Sequence, residues 1–193
     1  MIIYLPIKRG IKIIPLLILF LLVFHNSSFA DQYRVTKVYD GETIKAKGHG
    51  TEIKVRLAGI DAPEICKSIR ETGQPFSRKS KEYLAGLVLN KAVEIEGYGY
   101  QRYNEILGSI FLNGESVNLK MVRAGLAEVN RGNPPADLEL EPFVKAENEA
   151  KSAKKGIWIK GDKHVSSKVW RKMKRARSVF SMILYALCEQ GVK

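Results

Sequence analysis

The stretch RLAGIDAPE, at residues 56–64, brings one arginine and two carboxylates within nine residues of one another. Asp61 and Glu64 could supply hard oxygen ligands of the kind that Ca²⁺ takes. Arg56 could grip a phosphate through two parallel hydrogen bonds, which a lysine cannot do. A carboxylate that holds no metal could take a proton from a water attacking that phosphate. Together these would be the parts of a metal-assisted phosphodiesterase.

The same residues also allow a purely structural interpretation. Asp61 and Glu64 have the spacing of a helix capping box, with Pro63 in the first turn. Arg56 and Asp61 could form an exposed ion pair of little energetic value. The spacing alone favours this interpretation, so the surrounding sequence has to decide between the two.

Alternating apolar and polar residues, separated by glycine-rich turns, predict the elements that position this stretch. Strands are predicted over residues 33–40, 42–47, 51–60, 92–98 and 105–114. Helices are predicted over residues 74–89, 116–125 and 140–156, the second with a Ser N-cap and the last two ended by a Gly. Too few helices alternate with the strands for a parallel α/β sheet. We therefore expect a mainly β protein with α: a five-stranded, partly open barrel of the oligonucleotide-binding (OB-fold) kind with about three helices, plus a basic C-terminal helix.

The first thirty residues differ from the rest of the chain. Basic residues precede an apolar run over residues 13–24, and small residues then precede Asp31. The run is shorter than the roughly 20 residues of a membrane-spanning helix. Residues 1–30 are therefore predicted to be a cleaved signal peptide that exports the protein to the periplasm or the cell exterior, with an uncleaved membrane anchor as the alternative.

The net charge of +12 is concentrated at the other end of the chain. Residues 160–193 carry nine Lys and Arg against two acidic residues. We expect residues 31–159 to form one domain and residues 160–193 a basic tail that meets a polyanion first. Nucleic acid is the expected partner, and contact of the tail with an anionic membrane surface is the alternative. The apolar part of the tail, residues 179–188, is too short to span a bilayer.

Cys66 and Cys188 are the only cysteines of the chain. Export would permit a disulfide between them, which would tether the tail beside RLAGIDAPE. Sequence fixes no geometry for such a bridge, so free thiols or a link between chains remain the alternatives.

Several short motifs beyond RLAGIDAPE occur in a characteristic order along the chain. They are VYDGET (38–43), GQPF (73–76), RYNEILG (102–108), NLKMVRAGLAEV (118–129) and KKGIW (154–158). With these motifs, the chain resembles the staphylococcal nuclease (thermonuclease) family over about residues 33–158. The resemblance implies an OB-fold barrel and Ca²⁺-dependent hydrolysis of DNA and RNA, with single strands preferred, no small-molecule cofactor and a monomeric protein.

The resemblance also implies a metal site at the opening stretch. Asp61 would bind Ca²⁺ through its carboxylate, Ala62 through its backbone carbonyl, and Glu42 as the second acidic ligand. Asp40 and Thr43 would support the turn that carries Glu42.

By the same resemblance, Glu64 would be the general base and Arg56 a clamp on the phosphate. The chain departs from the family pattern at Glu42, where an Asp is usual, and at Glu105, where the family carries its second phosphate-binding arginine. Arg102 could replace that arginine, and Tyr103 could contact a base of the substrate. The sequence therefore predicts a nuclease whose activity Glu105 could impair. The alternatives are a catalytically inactive nucleic-acid-binding module and a membrane-surface or assembly protein that acts through the basic tail.

Overall fold

The computed structural model describes residues 32–66, 72–100 and 105–177, without the side chains of Tyr100 and Asp162. The strands are β1 (Gln32–Val38), β2 (Thr43–Gly48), β3 (Thr51–Leu57), β4 (Ile60–Asp61), β5 (Ala92–Tyr100), β6 (Glu105–Leu112), β7 (Glu115–Ser116) and β8 (Glu128–Val129). The helices are α1 (Ser77–Val88), α2 (Val117–Arg123) and α3 (Glu141–Ser152), followed by a 3₁₀ segment at Gly156–Lys163 and a tail helix at residues 167–177.

Strand pairing closes the sheet into a barrel. β1 pairs antiparallel with β2 and with β5, β2 with β3, and β5 with β6. β3 and β6 then pair in parallel, which joins the two ends of this series. Within the described residues, β1, β2, β3, β5 and β6 thus form the closed barrel, and the prediction of a mainly β, five-stranded OB-fold barrel with helices is confirmed.

The interior of the barrel follows from the alternation along each strand. Val55 and Leu57 on β3 point inward and are fully buried, because residues two apart on a strand share a face. α1 covers the barrel with Leu84 and Val88, which lie four apart on one helix face and are also fully buried. Each of these side chains contributes about 1.5–3 kcal/mol of hydrophobic stabilisation.

The helix starts show where sequence patterns succeed and fail. The Ser116 N-cap of α2 is confirmed, because its hydroxyl accepts a hydrogen bond from the Leu119 N–H at 3.2 Å. The predicted start of α1 at residue 74 is wrong. Phe76 has a left-handed backbone conformation with φ of 68°, so the helix begins only at Ser77.

A buried asparagine fixes the turn that leads from β3 into β4. The Asn118 side chain accepts a hydrogen bond from the Ile110 N–H at 3.0 Å and donates to the carbonyls of Ala58 and Gly108 at 2.9 and 3.1 Å. These bonds satisfy backbone groups that the barrel would otherwise bury unpaired. β4 then pairs with β8, placing Asp61 opposite Glu128.

The end of the described chain returns to the barrel instead of leaving it. Gln74 donates a hydrogen bond from Nε2 to the Val165 carbonyl at 2.8 Å, just before the tail helix begins. No helix of the described part of the chain is long and apolar enough to cross a membrane. The predicted signal peptide (residues 1–30) and the apolar stretch at residues 179–188 lie outside the described residues.

Candidate active site

Arg56 and Glu42 form an ion pair at the neighbouring ends of β3 and β2. Nη1 of Arg56 donates to Oε1 of Glu42, while Oε2 of Glu42 accepts from the Ala62 N–H at 2.9 Å. Nη2 of Arg56 also lies 3.8 Å from Oδ1 of Asp61. The guanidinium of Arg56 therefore sits between two of the carboxylates that the sequence predicts for the site, paired with one and close to the other.

Asp40 and Thr43 lie on either side of the turn position that Glu42 occupies. Oδ1 of Asp40 accepts a hydrogen bond from the Glu42 N–H at 2.9 Å. Thr43 is buried and pairs with Arg56 in the β2–β3 register. At Gly41 a Cβ atom would lie 2.0 Å from Oγ of Ser80, so only glycine lets this turn approach α1 so closely.

Asp61 and Glu64 lie together on the short segment after β3, and both bind the same guanidinium. That guanidinium belongs to Arg171 of the tail helix. Its Nη1 donates to Oδ1 of Asp61 at 2.9 Å and to Oε1 of Glu64 at 2.6 Å, and its Nη2 donates to Oδ2 of Asp61 at 2.7 Å. Asp61 thus forms a bidentate pair with Arg171, the arrangement of two parallel hydrogen bonds that matches a carboxylate best.

The capping-box interpretation of Asp61 and Glu64 is wrong. Residues 62–66 form no helix, and the Glu64 N–H donates to Oε1 of Gln74 at 3.0 Å instead of to a cap. The alternative of an isolated Arg56–Asp61 ion pair is also too simple, since Arg56 binds Glu42 more closely than Asp61. The charges of RLAGIDAPE belong to a larger cluster.

Glu105 forms an ion pair with Lys54. Its Oε1 lies 2.5 Å from Nζ of Lys54, its partner in the parallel register of β3 and β6. The two side chains are partly exposed, so this pair contributes at most about 1 kcal/mol. Arg102, Tyr103 and Cys188 lie outside the described residues, so their predicted roles stay predictions.

Burial and charge act on the site in opposite directions. Burial raises the pKa of Glu42 to about 8, and the attraction of Arg56 offsets only part of this effect. For Arg56, burial lowers the pKa, but the attraction of Glu42 and Asp61 outweighs it and the net shift is upward. Hydrogen bonds to Asp61 and Glu64 likewise raise the pKa of Arg171. The three carboxylates thus face two guanidinium groups that stay protonated.

The predicted Ca²⁺ ligands agree with a hard cation in chemistry but only partly in placement. Asp61 and the Ala62 carbonyl offer two oxygen donors from consecutive residues, which is the donor type that Ca²⁺ prefers. Glu42 is turned to Arg56 and to the Ala62 N–H. Among the described residues, no group of three acidic, His or Cys side chains is arranged to hold a metal ion.

The tail contributes contacts that sequence reasoning missed. Besides Arg171, Ser167 donates its hydroxyl to the Ala62 carbonyl at 3.0 Å, and Gln74 joins the tail to the Glu64 backbone. The only signal in the sequence is the high charge of residues 160–193, which predicts contact with an external polyanion. Nothing in the spacing of these residues indicates which basic side chain faces inward.

Fold and cluster together define an OB-fold barrel that carries arginines and carboxylates suited to a phosphate-directed site. The family model described as staphylococcal nuclease homologue matches residues 54–160. An uncharacterized endonuclease of Haemophilus influenzae is 30% identical over 175 residues, which is 90% of this chain and 92% of that protein. The chain belongs to the staphylococcal nuclease family.

Further relatives agree with this assignment. An uncharacterized endonuclease of Escherichia coli is 34% identical over 143 residues, covering 73% of this chain and 85% of that protein. The probable endonuclease LCL3 of Komagataella phaffii is 37% identical over 112 residues, covering 55% of this chain and 49% of its own length. The match to the Haemophilus protein includes more residues than the family model does, since it spans nearly the whole chain.

Proposed function

We propose that the chain is an endonuclease that hydrolyses phosphodiester bonds of DNA and RNA without base specificity, and single strands more readily than duplexes. One observation carries this proposal: Arg56, Asp61 and Glu64 lie in one cluster at the end of a barrel of the nuclease family. The names of the relatives, which describe endonucleases, support the same reaction class.

The side chains have complementary roles in this reaction. Glu64 takes the proton of a water molecule that attacks phosphorus. Arg56 donates hydrogen bonds to a non-bridging phosphate oxygen, where negative charge builds up in the transition state. Its pairing with Glu42 holds the guanidinium in place before substrate arrives. Loss of one such donor typically lowers kcat by about 10²–10³-fold.

We also propose that the activity depends on Ca²⁺. Asp61 and the carbonyl of Ala62 would hold the ion, with Glu42 as the further acidic ligand. When bound, the cation would polarise the phosphoryl oxygen as a Lewis acid. The oxygen donors at Asp61 and Ala62 support this proposal, and the arginine contacts of Glu42 and Asp61 imply that side chains shift when the ion binds.

The test is cleavage of single-stranded DNA by the full chain, with Ca²⁺ and with a chelator. We expect cleavage with Ca²⁺, no cleavage with the chelator, and a loss of at least about 100-fold in Arg56→Ala. Arg123→Ala is the matched control, since Arg123 is an exposed arginine at the end of α2, and it should cleave like the wild type.

A binding-only function is the second candidate, because Glu105 puts a carboxylate where the family has an arginine and pairs it with Lys54. In that case the wild type would bind single-stranded DNA but cleave it no faster than Arg56→Ala. Cleavage that is lost in Arg56→Ala would exclude this candidate.

Export of the protein is a further part of the proposal, supported by the apolar run and small residues of the first thirty positions. Cleavage of the chain after Ala30 in the producing cell, found by N-terminal sequencing of the mature protein, would support it. An intact N-terminus in a membrane fraction would instead favour the anchor.

A further inference from the structure

The site lacks an arginine at the position where the family carries its second one. Glu105 stands there, and its carboxylate is bound to Nζ of Lys54 at 2.5 Å. Position 105 therefore brings no positive charge to a phosphate bound between Arg56 and Glu64.

A guanidinium does reach the site from another part of the chain. Arg171 lies 110 positions beyond Asp61 and 107 beyond Glu64 in sequence, yet it makes three hydrogen bonds to these two carboxylates. An arginine carries five N–H donors. The three bonds leave two donors, on Nε and Nη2, which form an edge suited to two parallel bonds with a phosphate.

The position of Arg171 is fixed by contacts that do not depend on its own charge. Ser167, four residues earlier, is almost completely buried, at 1% exposure. Its N–H donates to Oε1 of Glu128 at 2.6 Å, and its hydroxyl donates to the Ala62 carbonyl at 3.0 Å. Residues at i and i+4 share a helix face, so the contacts of Ser167 turn Arg171 toward the segment that carries Asp61 and Glu64.

We propose that Arg171 is the second phosphate-binding arginine of the active site, supplied by the tail helix in place of position 105. This inference rests on the proposed nuclease function. Arg171 donates from its Nε–Nη2 edge to a phosphate oxygen of the substrate, while Nη1 keeps the Glu64 carboxylate oriented. Arg56 and Arg171 then flank the phosphate from two different elements, β3 and the tail helix.

The structure favours an arginine that stays in the site over an inhibitory plug that blocks the site until it is displaced. To act as such a plug, Arg171 would have to leave together with the tail helix. That would break the hydrogen bonds that Ser167 makes to the Ala62 carbonyl and to the Glu128 carboxylate. It would also break the bond of Gln74 to the Val165 carbonyl. The contacts that hold the tail helix are therefore part of the folded domain, and only the guanidinium of Arg171 has to move when substrate binds.

The charge balance of the site agrees with this role. Arg56 is already paired with Glu42, and Arg171 is the guanidinium that pairs with Asp61 and Glu64. Arg171 is one-third exposed at its side chain, so it can be reached by substrate while it remains bound to the cluster. A second guanidinium lowers the electrostatic cost of bringing in a phosphate anion.

The test measures cleavage of single-stranded DNA under saturating substrate for the full chain and three variants. Arg171→Ala should lower kcat by about 100-fold or more. Arg171→Lys should restore little, because an ammonium cannot form two parallel bonds. Arg123→Ala is the matched control, an exposed arginine outside the basic tail, and should stay within about twofold of wild type. All variants should show the same circular dichroism spectrum.

A rescue experiment separates a direct role from a structural one. Glu105→Arg combined with Arg171→Ala puts a guanidinium at the family position and should recover much of the lost kcat. Failure of this rescue, together with a lowered melting temperature of Arg171→Ala, would show that Arg171 acts only on the structure. A rate of Arg171→Ala equal to or above that of wild type would overturn the proposal and identify the tail helix as an inhibitory plug.

Failure of the nuclease function can be told apart from failure of this inference. If the wild type and every variant leave DNA intact, the proposed function fails. Binding of a 5′-phosphorylated oligothymidylate, in chelator, then decides on Arg171. At least tenfold weaker binding by Arg171→Ala than by Arg123→Ala supports a phosphate contact, and equal binding refutes it.

Discussion

Two buried carboxylate clusters of the protein differ in their charge balance. Glu147 on α3, with a side chain only 1% exposed, accepts hydrogen bonds from the Val129 N–H at 2.8 Å, from Arg131 at 2.7 Å and from Lys151 at 2.7 Å. One carboxylate there meets two cations. At the candidate active site, three carboxylates meet two guanidinium groups, those of Arg56 and Arg171.

The pKa values follow this balance. For Glu147, burial raises the pKa, but the bonds from Arg131 and Lys151 outweigh it and the net shift is downward. For Glu42, burial dominates and the pKa rises to about 8. The Glu147 cluster is therefore satisfied within the protein and ties β8 to α3. At the candidate active site, burial outweighs the guanidinium groups and leaves Glu42 with a raised pKa, and strongly shifted pKa values are typical of functional sites.

The largest expected effect separates the clusters by function. Glu64→Gln removes the proposed general base and should lower kcat by about 10²–10⁴-fold, with a smaller loss in the free energy of unfolding than Glu147→Gln. Glu147→Gln should cleave DNA at a rate close to that of wild type when assayed well below its melting temperature. Steady-state cleavage measurements on both variants would contradict the comparison if Glu147→Gln lost as much activity as Glu64→Gln.

Stability should show the opposite order. Glu147→Gln replaces charged hydrogen bonds to Arg131 and Lys151 with neutral ones and should lower the free energy of unfolding by about 1–3 kcal/mol. Chemical denaturation monitored by circular dichroism measures this loss. Glu149→Gln, at an exposed position of the same helix, is the matched control and should stay within about 0.5 kcal/mol of wild type. An equal loss of stability in both variants would show that neutralising any glutamate of α3 destabilises the protein, whether or not that glutamate belongs to the cluster.

The lowered pKa of Glu147 also sets the sign of its pH dependence. Its ordinary pKa is 4.5, and the folded value is lower. The stabilisation is therefore complete above about pH 4.5 and is lost as the pH falls through the folded value. Denaturation curves from pH 7 to pH 3 should converge for wild type and Glu147→Gln at the acidic end. A gap that stays constant down to pH 3 would contradict this origin of the stability.

Much of the fold follows from local sequence patterns. Alternation along residues 42–47 and 51–60 indicates β2 and β3, because inward positions such as Val55 and Leu57 repeat every second residue. The parallel pairing of β3 with β6 has no such local signature, since it joins residues about 50 positions apart. The order of the elements and the family motifs predict the barrel.

The candidate site is predictable only in part for the same reason. Glu42, Arg56 and Asp61 belong to motifs, and the structure brings them together. Arg171 belongs to no motif and sits in a run of basic residues with similar chemistry. Its partners depend on the seat of Ser167 against Ala62, a contact between residues 105 positions apart that no local pattern encodes.

A further pH effect tests directly whether burial dominates at Glu42. Folding raises the pKa of Glu42 from 4.5 to about 8, so the folded protein binds more protons at this residue than the unfolded chain between these values. Its contribution to stability therefore falls as the pH rises from about 4.5 to about 8. Glu42→Gln cannot lose that proton, so its free energy of unfolding should decline less than that of wild type over this range. Denaturation in chelator at pH 5, 6.5 and 8 measures the two slopes, with Glu149→Gln as the control that should keep the wild-type slope. A steeper decline in Glu42→Gln would mean that the Arg56 ion pair outweighs burial, and the two clusters would then differ in arrangement but not in charge balance.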